Sequence, residues 1–547
     1  MPGKTKVFFV QMPAWAREPN LAIAQLAAYL RRHGIEVESI DLNMELYHRF
    51  AVPQGQRDMW AAEIDNLWLD ANFAGRVLGE NRAWIERMVL GRIGAADRPV
   101  VCFPVTGPSV PASLQLTRWI KEARPDALVV FGGEFFTVNG RRPDAEGLGE
   151  MWGAGVDAAV AGDGEEALLE IVSRLAEGRD FAGCPGTLWK GPDGKAHYGG
   201  ERPYVDLNRI PPADWSVFDL SFYPKNGDPI EDRLGVVALS DDLTIMASRG
   251  CVRRCSFCGH RTAWKGFRRM SGRRIYEEIV HQRSARRDLR PGASEIKFYD
   301  LLINGDMRAL SELCDLLIAD SRPQFLWREA NAVIRPEMSY EFCRKLYEAG
   351  CRWLIIGLES GSQRVLDAMD KGQTVEQMKE VLRDIGRAGL KVRGNFMFGH
   401  PGETEEDFER TIDFVKEIHP YIHHVYPSYT MTHLEGRLGL APESWGIEKG
   451  QPEHFWTSRD GLNTYPVRLE RYERFVHEVS AVGANVITCL NMPIGAHVEF
   501  KLGEYHAFRN EPAKALKHYR KYLALDRGNA YVLERVRALE ARVCAAA

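Results

Sequence analysis

The sequence predicts an α/β protein with a doubly wound parallel sheet at the N-terminus, a partial (βα)6 barrel in the middle and a helical tail. Short apolar strands alternate with helix-spaced segments in two series, over residues 1–190 and 243–429. Such alternation is typical of parallel sheets covered by helices, and 547 residues are enough for several domains. We expect 191–242 to be a connector and 430–547 a mostly helical C-terminal domain.

The first series predicts five strands that all run in the same direction. They are Lys6–Gln11, Ile35–Ile40, Pro99–Pro104, Ala127–Phe131 and Ala158–Ala161, with helices at Asn20–His33, Ser113–Glu122 and Glu165–Glu177. Residues 42–98 show no clear period and are predicted to be an irregular insertion. In open sheets of this kind a ligand lies beyond the carboxyl ends of the strands.

The second series predicts six strands and five helices, which together make an open barrel. The strands are Thr244–Ser248, Glu295–Tyr299, Gln324–Arg328, Trp353–Ile356, Val392–Met397 and His423–Tyr426. The helices are Ile275–Arg286, Asp306–Ala319, Ser339–Ala349, Val375–Ala388 and Glu405–Glu417. In the tail, Gly503–Asp526 resembles one tetratricopeptide unit; since stable arrays need at least three repeats, we interpret it as a helical hairpin.

Charge and composition exclude some classes of function. The net charge of −4 provides no cationic field for general binding of nucleic acid or anionic membranes. No apolar run approaches the roughly 20 residues that span a bilayer, and no signal peptide is visible, so we expect a cytoplasmic protein. In that compartment the 10 cysteines are better interpreted as core residues, metal ligands or catalytic groups than as disulfides.

The strongest chemical signal is Cys251-x-x-x-Cys255-x-x-Cys258, which follows the first strand of the second series. Iron–sulfur clusters prefer thiolates, and three thiolates on one loop would leave one iron of a four-iron cluster open. Zinc is the competing metal, with His260 as a fourth ligand.

The region from Leu243 to Tyr429 resembles the radical S-adenosylmethionine (SAM) superfamily. The resemblance rests on the cysteine loop, on Gly357-Leu-Glu359-Ser360-Gly-Ser362 and on the segment from Asn395 to Thr404, in the same order as in the family. It implies a 4Fe-4S cluster on the three cysteines and SAM bound at the strand ends. The residues it assigns to SAM are Phe257, Glu329, Asn331, Glu359, Ser360 and Met397. Where relatives carry Glu-x-Arg, this chain has Glu329-x-Asn331.

The N-terminal series is similar to the cobalamin-binding domain of one class of these enzymes. Glycines at strand ends permit close approach of backbone to a flat ligand. The residues assigned to cobalamin by the resemblance are Thr106, Gly107, Ser109, Val110, Gly132, Gly133, Glu134, Gly162, Gly164 and Glu165. The Asp-x-His-x-x-Gly motif is absent, so no histidine is expected on the lower face of the corrin. The alternative is a doubly wound domain without a ligand.

The segment after the sixth predicted strand contains the candidate catalytic residues Tyr426, Tyr429 and His433. It either lines a substrate pocket or is an ordinary polar loop. The substrate is expected to be a small molecule or peptide, and the electron donor a flavodoxin or ferredoxin.

The resemblance implies a cobalamin-dependent methyltransferase acting on an unactivated carbon. Two alternatives remain open. One is a radical SAM enzyme that catalyses a non-methylating rearrangement or cyclisation, with or without cobalamin. The other is a non-catalytic metal-binding module that uses its helical tail for protein contacts.

Overall fold

Two compact units make up the chain in the computed structural model, Met1–Asp241 and Asp242–Ala547. The structure describes residues 5–14, 18–51, 53, 60, 65–133, 136, 148–223, 242–260, 264, 266–290, 292, 294–328, 330–433, 436–488, 493–525 and 529–546. The finer four-part division predicted from the sequence stays a prediction.

The N-terminal unit is built on a seven-stranded sheet in the order β2-β1-β3-β4-β5-β6-β7. The first five strands pair in parallel, as predicted. They are β1 (Thr5–Gln11), β2 (Glu36–Asp41), β3 (Arg98–Pro104), β4 (Leu128–Gly132) and β5 (Ala158–Val160). Their apolar centres form a buried core because helices cover them. The strand order reverses between β1 and β3, which is where such sheets bind ligands.

The described part of the N-terminal unit has eight α-helices. They are α1 (Leu21–Arg32), α2 (Leu42–Leu46), α3 (Asp65–Leu69), α4 (Ala71–Glu80), α5 (Arg82–Gly94), α6 (Val110–Ala123), α7 (Leu148–Ala154) and α8 (Gly164–Ala176). The prediction of an irregular insertion over 42–98 is wrong for its described residues, since α2 to α5 lie there. Local interactions help to define these helices: the Asp41 carboxylate caps α2, and that of Asp70 caps α4.

An antiparallel hairpin, β6 (Thr187–Lys190) and β7 (Ala196–Tyr198), extends the sheet beyond β5. The sequence analysis did not predict these two strands, because their short mixed runs lack alternation. Because β7 lies beyond residue 190, the sheet continues past the predicted end of the N-terminal domain. Further along the connector, Trp215 packs against Ala24 of α1, so the connector lies on the N-terminal unit.

The C-terminal unit contains the predicted six parallel strands. They are β8 (Leu243–Ile245), β11 (Glu295–Phe298), β12 (Leu326–Arg328) continued by β13 (Ala330–Ala332), β14 (Trp353–Glu359), β15 (Lys391–Phe398) and β16 (His424–Tyr429). They form two sheets, β12-β11-β8 and β13-β14-β15-β16, which a bridge between Trp327 and Cys351 joins. A small antiparallel pair, β9 (Ser248–Arg249) and β10 (Arg268–Arg269), flanks the first strand.

Helices cover one face of these strands. Those that follow the barrel strands are α9 (Gly272–Ala285), α10 (Met307–Ala319), α11 (Tyr340–Glu348), α12 (Gln363–Ala368), α13 (Val375–Arg387) and α14 (Glu405–Ile418). On β15, Phe396 packs on Phe414 and Phe398 on Phe408, both residues of α14. Since side chains alternate along a strand, Arg393, Asn395 and Met397 point to the opposite face, called the inner face below.

The tail is helical after an irregular start. Its helices are α15 (Arg437–Leu440), α16 (Tyr465–Ala481), α17 (Ile494–Phe508), α18 (Pro512–Leu525) and α19 (Ala530–Ala546). Helix α16 packs on the barrel through Phe475, whose ring lies 4.6 Å from that of Phe398. Helices α17 and α18 pair closely because Gly503 leaves room for the Tyr519 ring, as the single tetratricopeptide-like unit predicts.

Candidate functional site

The three cysteines of the predicted cluster lie on one loop that follows β9. Gly250 opens the loop with a left-handed φ of 88°, and a Cβ there would collide with the carbonyl oxygen of Gly266. This conformation requires glycine. Cys251, Cys255 and Cys258 are half-buried, and none is in a disulfide. The loop therefore carries three thiols, none of them in a disulfide, within eight residues.

Ser256, between two of these cysteines, fastens the loop to three other segments. Its amide donates to the Met369 carbonyl at 2.8 Å, and its carbonyl accepts from Leu438 N at 3.0 Å. Its hydroxyl is hydrogen-bonded to Nε2 of His400 at 2.9 Å. Burial lowers the pKa of His400 to about 4, so the ring is neutral at physiological pH. Ser256 is fully buried, and these bonds hold the cysteines in one arrangement.

Two arginines brace the middle of the loop. Arg253 donates to the carbonyl oxygens of Ile334, at 2.7 Å, and of Gly372. Arg437 donates to the carbonyl of Arg254 at 2.8 Å. The loop is thus held by groups from several parts of the barrel, which is how a rigid site is supported.

The electrostatics of the loop fit thiolate ligation. Burial raises the pKa of Cys255 to about 11, against the opposing effect of Lys371, and burial also raises that of Cys258. Without a metal these two thiols therefore keep their protons, whereas a bound metal would replace those protons. In the described part of the chain no three His, Cys, Asp or Glu side chains are close enough to share a single metal ion. A cluster does not need such convergence on one ion, because its thiolates bind different iron atoms.

A buried ion pair lies beside the loop. Lys371 Nζ donates to Glu359 Oε1 at 2.7 Å, and the two side chains are only 6% and 11% exposed. Burial alone would lower the pKa of Lys371, but Glu359 and then Cys255 raise it above its usual value. Lys371 was not predicted from the sequence. A lysine three residues after a helix carries no sequence signal until the fold places it next to a carboxylate.

The backbone around this pair is strained. Glu359 has a left-handed φ of 66° and lies at an irregularity between β14 and β15. A Cβ on Gly357 would lie 2.6 Å from Lys371 Nζ and would also collide with the Glu359 carboxylate. Strain of this kind in a non-glycine residue is typical of functional sites.

The residues predicted to flank the adenine of SAM meet in one apolar cluster. Phe257 packs against buried Met397, Met369 and Val365. The Lys371 ammonium lies 5.9 Å from the centroid of the Phe257 ring. Flat apolar surface and buried charge are therefore adjacent at this end of the strands.

The remaining residues predicted for SAM have structural partners. The Ser360 hydroxyl is hydrogen-bonded to that of Thr411 at 3.0 Å and accepts from Ser362 N. Asn331 Nδ2 donates to the Asp300 carbonyl at 3.0 Å. Glu329 lies outside the described residues. The SAM contacts of these residues stay predictions.

The three candidate catalytic residues do not converge. Tyr426 lies on the inner face, where the Arg393 guanidinium is 5.0 Å from its ring centroid. Tyr429 lies on the other face, because its hydroxyl accepts from Tyr465 of α16 at 3.3 Å. His433 lies beyond the strand, 3.8 Å from the Glu453 carboxylate. Of the three, Tyr426 is the one on the face that carries Met397.

In the N-terminal unit, the residues predicted for cobalamin lie at the carboxyl ends of β3, β4 and β5. Thr106, Gly107, Ser109 and Val110 form a turn in which Ser109 Oγ accepts from Thr106 N at 3.0 Å. Gly132 and Gly133 end β4, and Gly162, Gly164 and Glu165 follow β5. Glu134 lies outside the described residues. Because the three strands are neighbours, these segments share one edge of the sheet.

The glycines of this edge differ in what surrounds them. A Cβ on Gly133 would lie 2.7 Å from the Val105 carbonyl oxygen, and its φ is 103°. Gly162, with a φ of 97°, has open space where a Cβ would be, and Gly132 has only Val160 at 4.0 Å. Gly133 therefore serves the fold, whereas Gly132 and Gly162 leave the edge free for a ligand.

The family model of the radical SAM superfamily matches residues 245–415. An uncharacterised methyltransferase of Pyrococcus horikoshii is 29% identical over 267 residues, 48% of this chain and 53% of that protein. An anaerobic magnesium-protoporphyrin IX monomethyl ester cyclase of Rubrivivax gelatinosus is 27% identical over 64% of this chain and 60% of its own length. The chain thus spans between half and two thirds of the length of these curated relatives.

Two solved structures share the fold over nearly the whole chain. The radical SAM methyltransferase TsrM of Kitasatospora setae, with cobalamin and a 4Fe-4S cluster bound, has a TM-score of 0.59 at 17% identity, covering 95% of this chain and all of that one. The cobalamin-dependent radical SAM enzyme OxsB has a TM-score of 0.56 at 16% identity, covering 98% of this chain and 70% of its own. No helix in the described ranges has the length and apolarity needed to cross a membrane.

Proposed function

We propose that this protein, whose residues 245–415 form a radical SAM domain, is a cobalamin-dependent methyltransferase that acts on an unactivated carbon. The observation that carries the proposal is a three-thiol loop, clamped at Ser256 beside a buried Lys371–Glu359 pair. The same chain contains a second sheet whose glycine-lined carboxyl edge is open. One chain thus offers both a metal loop and a surface for a large flat cofactor.

The thiols of Cys251, Cys255 and Cys258 would hold a 4Fe-4S cluster through three irons. When bound, the cluster and SAM supply a carbon-centred radical, and cobalamin supplies a transferable methyl group. The protein's own residues position these groups and exclude water. Ser256 and His400 fix the cysteine loop. Phe257 and Met397 offer apolar surface to the adenine.

Lys371 and Glu359 supply opposite charges at the place where SAM carries a carboxylate and an ammonium group. We infer that, when SAM binds, Lys371 pairs with the SAM carboxylate and Glu359 with its ammonium group, and that both weaken their contact with each other. A preformed buried pair suits this exchange, because its charges are already desolvated and oriented.

The edge formed by the ends of β3, β4 and β5 would hold the corrin ring. Gly132 and Gly162 allow the backbone to approach a flat ligand. The described segments Thr106–Val110, Gly132–Gly133 and Gly162–Glu165 contain no histidine, so we expect a corrin without a histidine ligand from them.

The names of similar proteins indicate substrate classes to test. TsrM has been solved with tryptophan as substrate, and a 27% identical methyltransferase of Chlorobaculum tepidum acts on bacteriochlorophyllide d. The similarity to a cyclase favours, as second candidate, a radical ring closure without methyl transfer. We further propose a flavodoxin or ferredoxin as electron donor, and action in the cytoplasm, where the thiols stay reduced.

The test starts with anaerobic purification and reconstitution with iron, sulfide and hydroxocobalamin. We expect about four irons per chain, a corrin absorption spectrum, and 5′-deoxyadenosine once SAM and dithionite are added. Absence of 5′-deoxyadenosine from cluster-loaded protein would rule out radical SAM chemistry. A methylated product distinguishes the methyltransferase from the cyclase. Protein that stays cobalamin-free yet active would exclude the cobalamin-dependent proposal.

A further inference from the structure

Arg393, Asn395 and Tyr426 form a polar patch on the inner face of the C-terminal unit, apart from the residues assigned to SAM. We propose that this patch binds a carboxylate of the methyl-accepting substrate, which makes that substrate an anionic aromatic small molecule. The inference rests on the proposed function, since it identifies the substrate class of the same enzyme.

The register of the sheet brings the three residues together. Asn395 pairs directly with Tyr426, and Arg393 with His424 on the neighbouring strand. Arg393 and Asn395 are two residues apart on β15 and so share the face opposite to Phe396. The Arg393 guanidinium lies 5.0 Å from the centroid of the Tyr426 ring. A cation, an amide and an aromatic face are thus adjacent.

Two polar atoms of this patch, one on Arg393 and one on Asn395, have no hydrogen-bond partner among the described residues. Both atoms are buried. Within the part of the chain that the structure describes, Arg393 Nε donates no hydrogen bond and Asn395 Oδ1 accepts none. Other arginines of the barrel strands and their ends do have partners: Arg328 pairs with Glu295 at 2.6 Å, and Arg352 donates to two carbonyls. Buried polar atoms without partners are rare in folded proteins and need an explanation.

A carboxylate satisfies this patch better than a neutral group does. A guanidinium offers donors in a planar fork that matches the two oxygens of a carboxylate. Among the described residues no carboxylate forms an ion pair with Arg393, and Glu359 of the predicted SAM site is paired with Lys371. The adjacent Asn395 amide can add a hydrogen bond, and the Tyr426 ring gives a flat surface for an aromatic body.

The position of the patch suits an anchor that lies away from the reacting carbon. Arg393 precedes Met397 by four residues, which is about 13 Å along a strand. Binding at such a distance can position a substrate without touching the chemistry. Both candidate sources, an aromatic amino acid and a tetrapyrrole, carry a carboxylate at a distance from their aromatic carbons.

The experiment compares acids with analogues whose carboxylate is blocked as an amide or ester, on cluster-loaded, cobalamin-loaded protein. The probes are L-tryptophan with L-tryptophanamide, protoporphyrin IX with its dimethyl ester, and benzoate with benzamide, measured by fluorescence or ligand-observed NMR. We expect at least one acid to bind about tenfold more tightly than its blocked analogue, and Arg393→Gln to remove that preference. A preference for tryptophan would indicate an aromatic amino acid as the substrate, and a preference for protoporphyrin IX would indicate a tetrapyrrole.

The controls separate this inference from the proposed function. Arg387→Gln, which changes an exposed arginine of α13, should keep the preference for the acid. SAM cleavage without substrate, measured as 5′-deoxyadenosine, should be unchanged in Arg393→Gln; its loss would mean that Arg393 serves SAM instead and would overturn the inference. The absence of any Arg393-dependent preference among the three acids would overturn it as well. If wild-type protein does not cleave SAM, the proposed function fails.

Discussion

The cysteine loop of the C-terminal unit and the strand-end edge of the N-terminal unit both follow parallel strands, but they are held differently. In the cysteine loop, Ser256 alone makes three hydrogen bonds to distant segments. At the N-terminal edge, Thr106 and Ser109 bond chiefly to each other, and Gly132 and Gly162 face open space. The cysteine loop is thus locked by tertiary contacts, whereas the N-terminal edge is kept clear by small residues.

The charges near the cysteine loop also differ from those at the N-terminal edge. The loop has a buried ion pair next to it and burial-raised thiol pKa values. The N-terminal edge offers backbone and hydroxyl groups and one buried carboxylate, that of Glu165. The comparison predicts that changes at the loop act through charge and lost bonds, whereas changes at the edge act through shape.

The largest expected effect is at the cysteines. Cys251→Ala, Cys255→Ala or Cys258→Ala should each abolish the brown chromophore and 5′-deoxyadenosine formation, because each thiolate would hold one iron. Iron content and absorption spectra after reconstitution measure this. Buried Cys314 is the matched control, and Cys314→Ala should keep the cluster. About four irons in the triple variant would show that the cluster lies elsewhere.

At the N-terminal edge, Gly132→Leu should block cobalamin binding while leaving the cluster and the fold intact. The added side chain enters space that is open in the protein. Gly133→Leu is the contrasting control: it should lower the melting temperature, because its Cβ would meet the Val105 backbone at 2.7 Å. Titration with hydroxocobalamin followed by absorbance measures binding. Unchanged affinity in Gly132→Leu would place the corrin elsewhere.

The buried Lys371–Glu359 pair tests whether charge matters at the cysteine loop. Lys371→Met leaves the Glu359 carboxylate buried without its partner and should cost about 3–5 kcal/mol of stability. Replacing both, as Lys371→Met with Glu359→Leu, should restore part of it. Arg383→Met removes an exposed pair with Glu417 at 3.3 Å and should cost at most about 1 kcal/mol. Thermal unfolding compares the variants; equal losses in the two single variants would contradict the electrostatic account.

The smallest expected effect is a pH dependence through His400. Burial lowers its pKa from 6.5 to about 4, so the unfolded chain takes up a proton at higher pH than the folded one does. Stability should therefore fall as the pH drops from about 6.5 to 4, by up to about 3 kcal/mol. His400→Gln should flatten this part of the profile. Because burial also lowers the pKa of His454 and His497, the informative quantity is the difference between wild type and variant. Identical profiles would exclude His400.

Much of the fold could be predicted from the sequence, because strands and helices carry periodic signals. All six barrel strands and five of the six helices that follow them were predicted within a few residues, and the short helix α12 was not. The hairpin β6–β7 and the helices α2 to α5 were not, since short mixed strands and helices without a clear apolar stripe look irregular along the chain. In α5, for instance, exposed Arg87 and half-buried Met88 lie directly before buried Val89.

The sequence by itself determined the cysteine loop, the order of motifs after it and the glycines at the strand ends, because spacing along the chain places such residues on one turn or one sheet edge. Only the tertiary structure decided that Lys371 meets Glu359, that Tyr426 and Tyr429 face opposite ways, and that, within the described chain, Arg393 Nε and Asn395 Oδ1 have no hydrogen-bond partner on the inner face. These relations depend on which residues packing brings together from distant segments, and on which side of a strand the helices lie. Neither is written in local periodicity.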